Sequence, residues 1–498
     1  MRIPIERHSS TAVYLQIRDR IRHLIETGAL RSGDKLPSIR TLSASTRVNK
    51  LTVIEAYNVL AAEGLVEARQ GSGYFVCSAK SDRTESKHQL SKHQFAPPQD
   101  TIVLEQPPLP PLIEEFQGGS SFNLYMKSVQ ARQQPGTIDL SSGFSLASGL
   151  DDLPRVARRA VKQISGSLFN YDLPQGQLIL RQQIARLLVQ QHGLNVTADN
   201  LIITNGSKQG ILLAVHHYVK PGDWVLVESP TWYGMLSLLY NMGARVIGIP
   251  MTPEGINLEL LEKNLYTYRP KLIFTVSTLH NPTGLTTSLD HRRQLLALAE
   301  KYDCIVLEDN AYEGLNFEPV PVPIKALDTS DRVIYAGTFS KTIMPGIRVG
   351  YLVVTGEDYQ PLVERKLHYD IHVSTVSQAI VSEYLASGHY RHHLAHLQAV
   401  HLQSRNAMLD AMQRHYPPAT YWTIPKGGTF LWVQMPAHLP LAAICQKALA
   451  RGVFVAEGTP FFPGGQQSYP ALRLNFTLLP EQIEQGIAIL GEILQDYV

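Results

Sequence analysis

The sequence predicts two folded modules, a small α+β head and a large α/β body that ends in a smaller α+β lobe. Three observations carry this. Residues 11–77 hold three helical stretches with apolar faces, followed by two short strand-like runs around glycines. From about residue 120, apolar strand-like runs alternate with amphipathic helical stretches, the order that builds a mostly parallel, helix-covered sheet. Between them the chain turns polar and then proline-rich, with Pro97-Pro98, Pro107-Pro108 and Pro110-Pro111. Such a composition buries too little apolar surface to fold alone and reads as a semi-extended linker. The boundaries are therefore 8–77 for the head, 78–119 for the linker and 120–498 for the body.

In the head, Ile17, Ile21, Leu24 and Ile25 share one helical face, and Gly28 is a stop. Ser32-Gly33-Asp34 reads as a turn, and Leu36-Pro37-Ser38-Ile39-Arg40 opens a second, short helix. Asn49 is an N-cap for a third helix, whose apolar side is Val53, Ala56, Tyr57 and Leu60. Leu65 to Ala68 and Tyr74 to Val76 read as strands about Gln70-Gly71-Ser72-Gly73. In the body, strands are expected at 201–204, 224–227, 246–249, 272–276, 305–307 and 333–336, with a helix around 295–302. From about residue 370, long helices mix with short strands and form the smaller lobe.

The bulk numbers agree with a globular two-domain chain. There are 498 residues, 44% apolar and 18% charged. The formal net charge of +2 argues against a polyanion binder throughout, but it divides unevenly: residues 1–77 carry +4 and the remainder −2. A basic head on a slightly acidic body fits nucleic-acid binding by the head. Cys77, Cys304 and Cys445 have neither disulfide-framework nor zinc spacing, so no metal site is expected and a reducing cytoplasm is. Neither a signal-like stretch at Met1–Arg7 nor a bilayer-long apolar run is present, so no membrane partner is expected.

Three helices and a hairpin with a basic bias make a winged helix-turn-helix, which presents the start of its third helix to the major groove of a double-stranded DNA operator. Asn49, Lys50 and Thr52 are the candidates there, because they open the helix off its apolar side. Arg40 is placed to hold a phosphate, and Gln70 and Gly71 stand at the wing tip. Each charge taken singly is equally well a solvated surface group. The ordered runs Tyr14-Leu15-Gln16-Ile17, Gly33-Asp34-Lys35-Leu36-Pro37-Ser38-Ile39-Arg40, Thr52-Val53-Ile54-Glu55-Ala56-Tyr57, Glu63-Gly64-Leu65-Val66 and Gly71-Ser72-Gly73-Tyr74-Phe75-Val76 resemble the GntR family of bacterial regulators. Lys50 stands where that family usually has Arg, and Leu51 where it commonly has a polar residue. Both substitutions bear on base readout.

The body supplies the groups that pyridoxal phosphate requires: an amine for the aldehyde, a carboxylate for the pyridine nitrogen, donors for phosphate and phenolate, and a flat wall. Lys341, in Gly337-Thr338-Phe339-Ser340-Lys341 after a strand, is the Schiff-base candidate. Arg348, Ser340 and Thr338 offer donors to the phosphate, joined by Ser207 and Lys208 at a strand-to-helix glycine turn. Asp309 ends an apolar strand, expensive for a lone charge but apt beside a pyridinium; read alone, it is a helix cap. Tyr312 and Asn281 can bond the phenolate oxygen, Trp232 can stack on the ring, and Arg473 can clamp an effector or substrate carboxylate. Alone, Trp232 is ordinary core and Arg473 an ordinary salt-bridge partner.

In this order the pieces resemble the fold-type-I pyridoxal-phosphate-dependent aminotransferases. The resemblance implies the cofactor roles just given. It also implies that Tyr171 reaches the partner subunit's phosphate, hence a homodimer with shared sites. Lys208 departs from that family, which generally has Gln or another uncharged or acidic residue there, and His401 lies where regulatory members carry Tyr and several Arg. A GntR-like head on an aminotransferase-like body resembles the MocR-type regulators. That resemblance implies a cytoplasmic DNA-binding transcription regulator that senses pyridoxal phosphate, an amino-acid-like effector, or both. The alternative is a working aminotransferase on an amino acid; the head argues against a purely metabolic enzyme, while slow residual transamination fits either reading.

Overall fold

A computed structural model describes residues 13–26, 30, 33–46, 48–62, 65–69, 73–76, 119–143, 148–164, 166, 170–418, 420–465 and 467–497. The chain divides into two compact units, Met1–Leu104 and Glu105–Val498. The expected linker 78–119 lies outside the described residues except for Gly119, which opens a helix.

In the first unit, helices Val13–Glu26, Ile39–Thr46 and Lys50–Ala62 precede strands Val66–Arg69 and Gly73–Val76. Ile17, Ile21, Val53, Ala56, Tyr57 and Leu60 are fully buried together in one core. Ser38 Oγ accepts from the Thr41 amide at 3.1 Å and caps the second helix. The Tyr57 hydroxyl donates to the Pro37 carbonyl at 2.7 Å, tying the third helix to the turn that opens the second. The hairpin pairs Val66 with Val76 and Arg69 with Gly73. Asp34, expected in a plain turn, and Leu36, expected to open the second helix, instead flank the hairpin: Leu36 N donates to Tyr74 O and Val76 N to Asp34 O, both at 2.9 Å, and the helix starts at Ile39.

In the second unit an eight-stranded sheet runs, in spatial order, Leu201–Thr204, Gly350–Val353, Val333–Thr338, Ile305–Asp309, Leu272–Thr275, Trp224–Ser229, Arg245–Thr252 and Gly255–Ile256. Its central pairs are parallel, as expected. The strand Gly350–Val353 was not expected and is antiparallel to both its neighbours. The run Val349–Val354 is apolar and fully buried apart from a trace at Tyr351, which suits an inner strand. Gly350 is required: a Cβ there would lie 2.5 Å from Gly206 C and 2.6 Å from Ser207 N. Candidate site residues follow the carboxyl ends of parallel strands, the side on which such sheets bind ligands.

The smaller lobe is built on the four-stranded order Tyr421–Trp422, Phe430–Gln434, Ala471–Asn475, Ala456–Glu457. Its core starts later than residue 370, because Thr375–Ala386 packs on Leu153–Gln163 and Leu178–His192 instead. It also recruits Ile138 and Leu140 from far upstream, where Ile138–Asp139 pairs with Val453–Phe454. Among the described residues no helix is long and apolar enough to cross a membrane, and no group of three or more His, Cys, Asp or Glu could hold a metal.

Candidate active site

Lys341 lies just beyond the strand Val333–Thr338 and Asp309 is the last residue of the adjacent strand. Parallel register sets Asp309 opposite Ala336. Both charges open into a cavity of about 720 Å³. Burial pushes the Lys341 amine down to about 8; Arg473 and Arg348 push the same way and Asp309 opposes them. Burial pushes the Asp309 carboxyl up to about 7, against the attraction of Lys341. Asp309 Oδ1 is buried without a hydrogen-bond partner among the described residues. Lys341 Nζ donates to the Gly143 carbonyl at 2.5 Å and lies 5.9 Å from the centre of the Tyr312 ring.

One corner of the cavity is made for an anion. Ser207 and Lys208 stand in the first turn of helix Gly206–Tyr218 and both line the wall. Free amides at a helix start favour negative charge. Arg348 holds a left-handed backbone (φ 52°) and reaches back, donating to Ser340 Oγ at 3.1 Å and to the Asn205 carbonyl at 2.9 Å. Gly206, with φ 71°, leaves the room this needs, since a Cβ would sit 2.4 Å from Arg348 Nη2. Thr338 Oγ1 takes the Ser340 amide at 3.1 Å and fixes the loop between them.

Arg473 enters from the smaller lobe. It is 4% exposed, yet its hydrogen-bond partners among the described residues are neutral. Nη1 donates to Asn281 Oδ1 at 3.0 Å, Nη2 to the Ser141 carbonyl at 2.6 Å, and Nε is unpartnered. Its guanidinium lies 3.9 Å from the centre of the Phe430 ring and 4.7 Å from that of Phe461. Burial lowers its proton affinity. Asp139 eases this burial only through space, without a hydrogen bond; a buried cation with no directly bonded carboxylate is costly, and a ligand carboxylate offers that charge. Since Asn281 spends its oxygen on Arg473, its NH₂ is left for an acceptor in the cavity.

Ser207, Lys208, Trp232, Asn281, Asp309, Tyr312, Thr338, Ser340, Lys341, Arg348 and Arg473 all line this one cavity. Tyr171 does not; it is 82% exposed, with its ring edge to His372. In the head, Asn49 and Lys50 are exposed and Thr52 is half-buried. The Asn49 carbonyl accepts the Thr52 amide at 3.1 Å. Gln70, Gly71 and the side chain of Arg40 lie outside the described residues. His401 is buried and pushed down to about 4, hence neutral.

Sequence reasoning missed the turn Ser141–Gly143, Tyr233, and a face of helix Gly119–Gln133 carrying Leu124, Tyr125, Ser128 and Arg132, which also line the cavity. Nothing in a run of small residues marks a ligand wall. Tyr233, beside the expected Trp232, was within reach.

The unpartnered Asp309 oxygen, the depressed Lys341 amine and the anion corner fit pyridoxal phosphate. The family model for aminotransferase class I and II matches residues 135–490. The chain belongs to that family. The model for bacterial regulatory proteins of the gntR family matches residues 13–76. The chain is 32% identical to the uncharacterized HTH-type transcriptional regulator YjiR of Escherichia coli K12, over 94% of this chain and 96% of that protein. It is 31% identical to aromatic-amino-acid aminotransferase 1 of Thermococcus litoralis, over 75% of this chain and 93% of that one. Among solved structures it resembles the α-aminoadipate aminotransferase LysN of Thermus thermophilus, complexed with N-(5'-phosphopyridoxyl)-L-leucine. The TM-score there is 0.69 at 29% identity, covering 74% of this chain and 97% of that one. The protein is thus a regulator of the GntR/MocR type, with a winged helix-turn-helix head, a fold-type-I aminotransferase-like body and pyridoxal phosphate as its cofactor.

Proposed function

We propose that the body keeps the aminotransferase site as a sensor, and that cofactor together with a carboxylate-bearing, amino-acid-like effector sets the affinity of the head for its DNA operator. The observation that carries this is Arg473, a buried guanidinium whose hydrogen-bond partners among the described residues are neutral, in the same cavity as Lys341 and Asp309. That arrangement suits a ligand bearing an amine and a carboxylate.

In this reading Lys341 holds the cofactor through its amine, which is near half neutral at its own depressed value of about 8. Arg348, Ser207, Ser340, Thr338 and Lys208 hold the phosphate, and Trp232 walls the ring. Asp309 keeps the proton on the pyridine nitrogen, and Tyr312 and Asn281 hold the phenolate oxygen. The bound cofactor supplies an electron sink for bonds at the amino acid's Cα. Arg473 orients the carboxylate. In the head, Arg40, Asn49, Lys50, Thr52, Gln70 and Gly71 contact the duplex. Tyr171, exposed on a single chain, suits a homodimer in which it reaches the partner site. The domain limits 8–77, 78–119 and 120–498 and a cytoplasmic location complete the proposal.

The second reading, a working aminotransferase, is favoured by one fact: Lys341, Asp309 and Arg473 are all present around one cavity. Measuring transamination turnover and DNA affinity on the same loaded preparation separates the two. Rapid multiple turnover with DNA affinity indifferent to ligand would favour the enzyme.

A further inference from the structure

The turn Ser141–Gly143 connects both reactive ends of the cavity. Its Ser141 carbonyl takes Arg473 Nη2 at 2.6 Å, and its Gly143 carbonyl takes Lys341 Nζ at 2.5 Å. Asp139, 8% exposed, holds this turn: Oδ1 accepts from Ser141 N at 2.9 Å and from Ser141 Oγ at 2.6 Å, and Oδ2 accepts from Ser142 Oγ. The same Oδ2 meets Ser128 Oγ at 3.4 Å and Arg132 Nε at 3.5 Å, both on helix Gly119–Gln133. One buried carboxylate therefore joins the ligand-facing turn to the helix that follows residues 77–118 in sequence.

We infer that Asp139 is a positioning residue through which helix Gly119–Gln133 reads the occupancy of Lys341 and Arg473. The inference rests on the sensor reading above and names its internal relay. A carboxylate on Arg473 neutralises the guanidinium and so weakens its charge-assisted bond to the Ser141 carbonyl. Engagement of the Lys341 amine by the cofactor aldehyde withdraws its hydrogen bond from Gly143. Both events thus loosen the hold on one turn.

The backbone beneath is pinned. Ile138 N donates to Gly452 O, Leu140 N to Phe454 O and Asn475 N to Leu140 O, at 2.8, 2.8 and 2.7 Å. With 138–140 held in the lobe, the turn re-forms around the Asp139 side chain. A carboxylate shared by two groups of donors passes such a change to the other group. On the helix side that group is the Ser128 hydroxyl at 3.4 Å together with the Arg132 cation one helical turn on, which meets Asp139 as an ion pair at 3.5 Å while its Nε donates to the Ser128 carbonyl at 3.1 Å. A ligand shifts the helix only to the extent that it favours one of these arrangements.

The test uses the full-length protein loaded with pyridoxal phosphate and the probe maleate, which has carboxylates but no amine to react with the cofactor. Binding is followed by the visible cofactor band. The helix is followed by hydrogen exchange of amides 119–133 at maleate saturation, so that altered affinity does not enter. Exchange in the wild type is expected to change by about fivefold. Asp139→Asn should keep the band and lose most of that change, and Ser128→Ala, a milder cut on the helix side, should reduce it. Wild-type responses in both variants would overturn the inference. So would a maleate-shifted band with no exchange response in the wild type, which leaves the cofactor reading standing. Absence of a cofactor band in the wild type would overturn both.

Discussion

Arg473 Nη1 donates to Asn281 Oδ1 across 3.0 Å, joining a strand of the smaller lobe to the loop after the strand Leu272–Thr275. The two residues are 192 positions apart in sequence. Their bond makes the carboxylate-binding and phenolate-binding groups one unit, so a ligand that draws on Arg473 also bears on Asn281.

Arg473→Ala should therefore weaken maleate binding by roughly 30-fold or more, equivalent to about 2 kcal/mol. It should also shift the visible band of the loaded protein, because Asn281 loses the donor that orients its amide. Titration followed in the visible range reads both. Unchanged maleate affinity would remove Arg473 from the effector site.

Lys341→Ala should abolish covalent attachment of the cofactor. Borohydride reduction followed by peptide mapping should fix the cofactor to Lys341 in the wild type, and finding it on another lysine would contradict the assignment. The pH dependence follows from the depressed amine, about 8 where 10.5 is ordinary. Below pH 8 the amine is increasingly protonated and not nucleophilic. Covalent loading of apo protein should thus slow about tenfold per pH unit below 8 and level off above it. A profile still rising steeply at pH 10 would show an unperturbed lysine.

Asp309→Asn should stabilise the apo protein and harm the loaded one. The folded carboxyl is raised from 3.8 to about 7. A raised carboxyl contributes stability below its unfolded value, and that contribution is lost as pH rises through 7. At pH 8 the apo variant should melt higher than wild type, by roughly 1–3 kcal/mol of stability, and at pH 4 the gain should nearly vanish. The cofactor should bind the variant more weakly, since no carboxylate compensates the pyridinium. Thermal melts at both pH values, apo and loaded, check the sign; an apo variant melting lower at pH 8 would contradict it.

Lys50→Ala should weaken DNA binding and alter the preferred sequence, whereas Arg40→Ala should weaken it across sequences. Each lost phosphate contact should lower the slope of log affinity against log salt by about 0.9. Binding selections from randomised duplexes, repeated at several salt concentrations, separate the two effects.

Much of this was legible in the sequence because the chemistry is local. Lys341, Ser340 and Arg348 fall within eight positions of one another, and Asp309 with Tyr312 follows a run whose apolar character marks a strand. The head was legible for the same reason: Val53, Ala56, Tyr57 and Leu60 repeat at helical spacing and are all fully buried. What was not legible depends on long-range pairing. The strand Gly350–Val353 is a short apolar run whose antiparallel insertion between Leu201–Thr204 and Val333–Thr338 is set by tertiary packing. Asp139 is an acid before two serines until Arg473, 334 residues later in sequence, is seen to lean on the same turn. Tyr171 carries no local signal beyond its motif.

The central claim is that ligand in the body changes DNA affinity of the head. The most direct measurement is titration of one selected DNA duplex with apo protein, with loaded protein, and with loaded protein saturated with amino acids in turn. The expected result is a change of about 5- to 150-fold between at least two of these states, with DNA changing ligand affinity by the same factor. Equal DNA affinity in every state, together with rapid multiple-turnover transamination, would contradict it.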